Sequence, residues 1–140
     1  MQLKRPVSDW TVIVLGLIGL FLGISGLFSP ESQLKMLGLT DSSSATGFAI
    51  RGFLRSGSVS AVYVGLLYLL GVWKKWEGFK YYLIFARVLM TIGFVALFLS
   101  GPTLEAFRSA AAWEGTGAVL ILVALFADRL FMKKAIGGSL

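Results

Sequence analysis

The sequence predicts an all-α membrane protein: an antiparallel, up-down four-helix transmembrane bundle in a single domain spanning 1–140. Three observations carry that expectation. Four apolar runs reach membrane length, at about 10–28, 55–73, 81–99 and 113–127. Only 14% of residues are charged and 56% are hydrophobic, whereas soluble domains carry roughly 25% charged residues. The runs are continuous rather than alternating, which rules against membrane barrel strands of about 10 residues. In lipid, a continuous helix satisfies its own backbone polar groups. The 17 glycines also suit membrane helices, which are richer in glycine than soluble ones.

The first run, WTVIVLGLIGLFLGISGLF at 10–28, contains no charge. About 20 apolar residues cross a hydrocarbon core of about 30 Å. A cleaved signal peptide is the competing reading. It needs a hydrophobic region of only about 7–15 residues followed by a small-x-small site. This run is longer and lacks such a site, so a retained helix is expected. Ser29-Pro30 ends it. A surface segment follows at about 30–46, where PESQLKMLGL predicts a short helix lying on the membrane with Leu34, Met36 and Leu37 toward lipid. Ser42, Ser43 and Ser44 are expected to form a turn-like, water-exposed end.

The second span begins near Arg55 and ends at Trp73, and Lys74, Lys75, Glu77 and Lys80 make a tight basic connection. The third span contains Arg87 and ends at Ser100-Gly101-Pro102. A loop with room for a short helical turn is expected over 103–112, and the fourth span opens near Glu114 or a few residues earlier. Trp10, Trp73, Trp76, Tyr81, Tyr82 and Trp113 fall at span ends, where aromatic rings favour the interface.

Orientation follows from basic residues in short loops. One side holds Lys4, Arg5, Lys74, Lys75, Lys80, Arg129, Lys133 and Lys134. The other holds Lys35 and Arg108, with Arg51 and Arg55 if these lie at the surface. Both termini are therefore expected in the cytoplasm. The setting is a multi-pass cell membrane: a bacterial inner membrane or an internal energy-transducing one.

Composition also excludes chemistry. There is no cysteine and no histidine, which removes disulfides, Cys-ligated clusters, the usual zinc sites and His-based catalytic units. The net charge of +6 flanks apolar segments and forms no basic, aromatic-interleaved face, so nucleic acid is not expected as a partner.

Two features inside the spans invite structural readings. Gly19 and Gly23 have the small-xxx-small spacing that lets helices approach closely, and Gly57, Ala61 and Gly65 repeat it. These are expected at helix packing seams, within the bundle or at an interface with a second copy (a homodimer) or a partner subunit. The intramembrane charges are the second feature. At a rise of about 1.5 Å per residue, Arg55 lies about 27 Å from Trp73 and Glu114 about 21 Å from Asp128. That places Arg51, Arg55 and Glu114 in one outer polar layer. Arg55 is expected either to pair with Glu114 or to meet headgroups. Arg87 lies about 11 Å below Glu114 along the axis, a bridge that would need extended side chains or a shifted helix. It is expected to snorkel inward or to cap a polar group, with Thr91 one turn away on the same face. Glu114 is expected to be a structural partner rather than a proton relay, since no second intramembrane carboxylate is available.

Phe28-Ser29-Pro30, Leu37-Gly38-Leu39, Arg51-Gly52, Arg87 and Glu114 together resemble the small DoxX-like four-helix membrane proteins, including an uncharacterised bacterial branch. The resemblance runs from about 10 to 129. It implies an up-down four-helix bundle, and for some relatives a link to quinone or sulfur redox chemistry. No redox-active side chain here carries that role over. The favoured expectation is a non-catalytic accessory or scaffold subunit of a larger membrane complex, with no cofactor. The alternatives are a binder of an apolar ligand (lipid, quinone or pigment) near Arg51, Arg55 and Glu114, and a quinone-linked redox component or small transporter.

Overall fold

Each apolar run is a helix in the computed structural model, which describes residues 5–36, 45–100 and 106–137. Five helices occur there: α1 (Val7–Phe28), α2 (Pro30–Met36), α3 (Ala45–Trp73), α4 (Phe79–Leu99) and α5 (Ala106–Gly137). Four of them, α1, α3, α4 and α5, are long and apolar enough to cross a membrane. The 22 residues of α1 extend about 33 Å, a full hydrocarbon thickness. The large residues on their outer faces are exposed, Phe28 at 84% and Phe53 at 82%. This is the surface of a protein whose solvent is lipid.

The expected spans at 55–73 and 113–127 lie inside longer helices. The backbone keeps its hydrogen-bond ladder past the apolar run, because nothing in residues 45–54 or 128–137 breaks it. The loop expected over 103–112 is helical from Ala106 onward, and 101–105 lie outside the described residues.

α1 stops where Ser29 leaves helical geometry, its N–H still donating to the Ser25 carbonyl. Pro30 cannot continue a helix but suits the first position of a new one, and α2 starts there. Leu34 on α2 is 3% exposed. It points into the bundle, correcting the expectation that it faces lipid. The cause is a polar knot. Gln33 Nε2 donates to the Leu22 carbonyl at 3.1 Å, and Ser58 Oγ reaches Gln33 Oε1 at 3.4 Å, which turns α2 inward against α1 and α3. Leu37, Gly38 and Leu39 lie outside the described residues.

α1 packs along α3, α4 along α5, and α1 against α5. The α1–α3 seam is glycine-lined, but not as the four-residue spacing predicted. A Cβ on Gly23 would sit 2.7 Å from the Val62 backbone nitrogen, and one on Gly16 would meet Tyr68 Cβ at 2.8 Å. Gly65 faces Gly16 and Leu20 across the same seam. Gly19 and Gly57 have nothing within 4 Å, so of the expected packing residues these two leave the seam and Gly23 and Gly65 hold it. Ala61, between them, is half-buried. The reason is periodic. Gly16 and Gly23, like Ser58 and Gly65, are seven apart, and a seven-residue step nearly closes two turns and stays on one face. Helices packed on that period cross at the shallow angle of left-handed bundles.

The core lies in the half of the bundle near the α3–α4 turn. Val12, Leu15, Tyr68, Val72, Phe79, Leu83 and Ile121 form it. Tyr68, Phe79 and Trp76 make successive edge-to-face contacts, a favoured aromatic geometry. α3 ends in a tight turn. Trp76 N–H donates to the Gly71 carbonyl and Lys75 N–H to the Val72 carbonyl, the paired bonds of a Schellman cap. Lys75 holds the left-handed position of that cap, at φ 52°. Glycine normally stands there, and a side chain in this conformation costs about 1–2 kcal/mol. Gly78, at φ 71°, supplies the second left-handed step before α4.

Candidate functional site

Arg87 projects from the middle of α4 and is 5% exposed. It does not snorkel to the membrane surface. Its Nε donates to the Tyr68 hydroxyl of α3 at 2.9 Å, and its Nη1 donates to Glu114 Oε2 of α5 at 3.1 Å. The guanidinium carbon stands 5.4 Å from the Tyr68 ring centroid and 5.7 Å from that of Trp113, within the range of a cation–π contact. Trp113 is therefore half-buried against the charge, rather than at a span end as expected. Thr91, placed beside Arg87 in the sequence reading, donates its hydroxyl to the Arg87 carbonyl at 2.8 Å. It satisfies the backbone one turn back and leaves the guanidinium to its other partners.

The pairing of Glu114 differs from the outer layer expected at the sequence level. Its ion pair is with Arg87. Arg55 is exposed and Arg51 half-exposed on α3, so the cluster of Arg51, Arg55 and Glu114 is not assembled through that carboxylate. Depth along the axes made Arg87 an unfavourable partner. Gly117 removes the obstacle: a Cβ there would collide with the Arg87 guanidinium. Its absence opens a channel along α5 through which the long side chain climbs towards Glu114. A charge placed in hydrocarbon costs several kcal/mol unless paired. Here it is paired, hydrogen-bonded and roofed by two aromatic rings. Among the described residues, no buried side-chain nitrogen or oxygen lacks a hydrogen-bond partner.

A second polar group gathers at the basic end of the bundle. Pro6 precedes α1 and gives no side-chain cap. Asp128, far away in sequence on α5, takes that role. Val7 N–H donates to its Oδ1 at 2.7 Å and Ser8 N–H to its Oδ2 at 3.1 Å. A carboxylate at a helix N-terminus answers both the orphan donors and the helix dipole. Lys80 of α4 donates to Ser8 Oγ at 2.6 Å and forms an ion pair with Asp9. One layer thus ties the start of α1 to α4 and α5. Arg129 adds a bond to the Tyr81 hydroxyl at 2.8 Å. Asp128→Ala removes the cap and is expected to lower stability by about 1 kcal/mol. Thermal unfolding in detergent reads the loss, and amide exchange reads faster opening at Val7 and Ser8.

Beside this layer lies a cavity of about 560 Å³, lined by Arg5, Lys75, Lys80 and Asp9 with Trp73, Trp76 and Phe79. It is at the end opposite Arg51 and Arg55, where a ligand pocket was expected. Sequence reasoning missed the cavity, the cap by Asp128 and the roles of Tyr68 and Gly117. A tyrosine hydroxyl within an apolar span is a signal of a buried partner. Tyr63, also in that run, is exposed, so the signal does not discriminate by itself.

Compared with protein families, with curated proteins and with solved structures, the chain matches none. The fold and the geometry define it as a four-helix membrane bundle in which Arg87 and Glu114 form a buried ion pair.

Proposed function

We propose that the protein is a non-catalytic subunit or scaffold that docks onto partner helices within a membrane complex. One observation carries this reading. Gly52, Ser56 and Ser60, at four-residue spacing on α3, are all exposed on the outward face of a membrane span. The stripe runs from the polar layer of Arg51 and Arg55 into the span at Ser60, and at a helix interface such small residues allow close backbone approach and hydrogen bonds. The Arg87–Glu114 pair supports the same reading, because its hydrogen bonds fasten α3, α4 and α5 to one another and make a rigid body to dock. The basic end with Arg5, Lys74, Lys75, Lys80 and Arg129 lies in the cytoplasm under this reading, by the positive-inside rule. The setting is a bacterial inner membrane or an internal energy-transducing membrane.

Extraction in mild detergent followed by native mass spectrometry tests the proposal. A defined complex is expected, and Ser56→Leu is expected to release the chain from it while leaving the chain's own melting temperature unchanged. A chain that stays alone and turns over a quinone without a partner would overturn the reading. That outcome would favour the redox chemistry to which the DoxX-like resemblance points.

A further inference from the structure

The cavity at the basic end has three properties that belong together. Its polar lining is cationic. Arg5, Lys75 and Lys80 face it with Asp9 as the lone carboxylate, and Asp9 is already the ion-pair partner of Lys80. Arg5 and Lys75 are therefore the charges that Asp9 does not offset. Its remaining wall is aromatic and apolar, with Trp73, Trp76, Phe79 and Val72. Trp73 and Trp76 are also exposed on the outer surface, so the wall continues onto the lipid-facing side of the bundle. The third property is conformational. Lys75 occupies the left-handed cap position at φ 52°, where glycine would close the same turn without strain. Backbone strain of this kind collects at binding sites, where a side chain is needed that the cheaper residue lacks.

We propose that this cavity binds the headgroup of an anionic phospholipid. Its phosphate lies between Arg5 and Lys75, and its glycerol and first acyl carbons lie against Trp76 and Phe79. The depth is right: the cavity opens where α3 ends and α4 begins, at the layer in which tryptophan meets headgroups. A phosphodiester has one negative charge to set against the two cations. A zwitterionic lipid would bring its own cation beside Arg5 and Lys75, with the single carboxylate already engaged. A free phosphate would leave the aromatic wall unused. This site is independent of the α3 docking face, which is at the other end of the same helix.

The test uses the full-length protein in detergent, native mass spectrometry to count bound lipid, and thermal unfolding. Phosphatidylglycerol is expected to stay bound as a single lipid per chain and to raise the melting temperature, with phosphatidylcholine doing neither. Lys75→Gly is expected to weaken phosphatidylglycerol binding about fivefold, the worth of one basic side chain at an anionic surface. The same variant is expected to melt no lower than the parent in lipid-free detergent, since glycine suits the cap. Arg5→Gln, in the segment before α1, is expected to weaken binding likewise. Equal retention of the two lipids would overturn the proposal. So would a Lys75→Gly variant that binds phosphatidylglycerol as the parent does. Inorganic phosphate giving the same thermal protection would show a site for a soluble anion and would equally overturn it.

Discussion

Glu114→Gln is expected to lower the unfolding free energy by about 3 kcal/mol. Breaking a buried ion pair by removing one partner costs about 3–5 kcal/mol, because the other charge remains buried without compensation. The lower end applies since the Glu114 side chain keeps 20% exposure against 6% for Arg87. The stranded group is a guanidinium that no longer faces a carboxylate but still meets Tyr68 and the faces of two rings. Unfolding by denaturing detergent, followed by tryptophan fluorescence, reads the loss, and Trp113 reports from beside the charge. Replacing both partners by leucine is expected to cost less than Glu114→Gln alone, since apolar pairs replace buried ionic ones at little or no cost.

The second large effect is at the α1–α3 seam. Gly23→Ala is expected to destabilise by about 1–3 kcal/mol, the usual cost of overpacking a tight contact. The added Cβ would meet the Val62 nitrogen at 2.7 Å and the Ser58 carbonyl oxygen at 2.9 Å. Both are backbone atoms that move only if the helices part. Gly19→Ala is the matched comparison. It meets nothing within 4 Å and is expected to change stability by less than about 0.5 kcal/mol. A reading based on four-residue spacing predicts equal effects at the two glycines. The pair of melting temperatures separates that reading from the seven-residue seam.

The helices were legible because length and apolarity suffice to specify a membrane span. Phe28, Trp73 and Leu99 end their helices where the apolar runs end. The helix starts were less legible, since α3 and α5 begin in stretches whose polarity resembles a loop but whose backbone meets no breaker. The charged site was half legible. Glu114 and Arg87 both stood out as charges without a solvent, and of the two expectations for Arg87 the geometry gives the polar partner inside the bundle, not the snorkel. Their pairing was hidden by arithmetic on helix rise, which treats each side chain as a point at its Cα. Arginine is long, and Gly117 clears its path. That path exists only once α4 and α5 are packed, so no single-helix pattern contains it. The Gly19–Gly23 spacing did not by itself tell which of the two glycines packs inside the bundle, for a related reason. Spacing within one helix gives its candidate faces, but the partner decides which face is used. Asp128 was illegible as a cap because the helix it caps begins about 120 positions away.

A double-mutant cycle tests the central claim, that Arg87 and Glu114 form the lock of the bundle. Arg87→Gln, Glu114→Gln and the double variant are unfolded in the same detergent. Direct contact predicts a coupling energy within the range of about 0.5–3 kcal/mol seen for interacting residues. The parallel cycle of Arg55→Gln with Glu114→Gln is expected to be additive. Additivity for Arg87 with coupling for Arg55 would contradict the account.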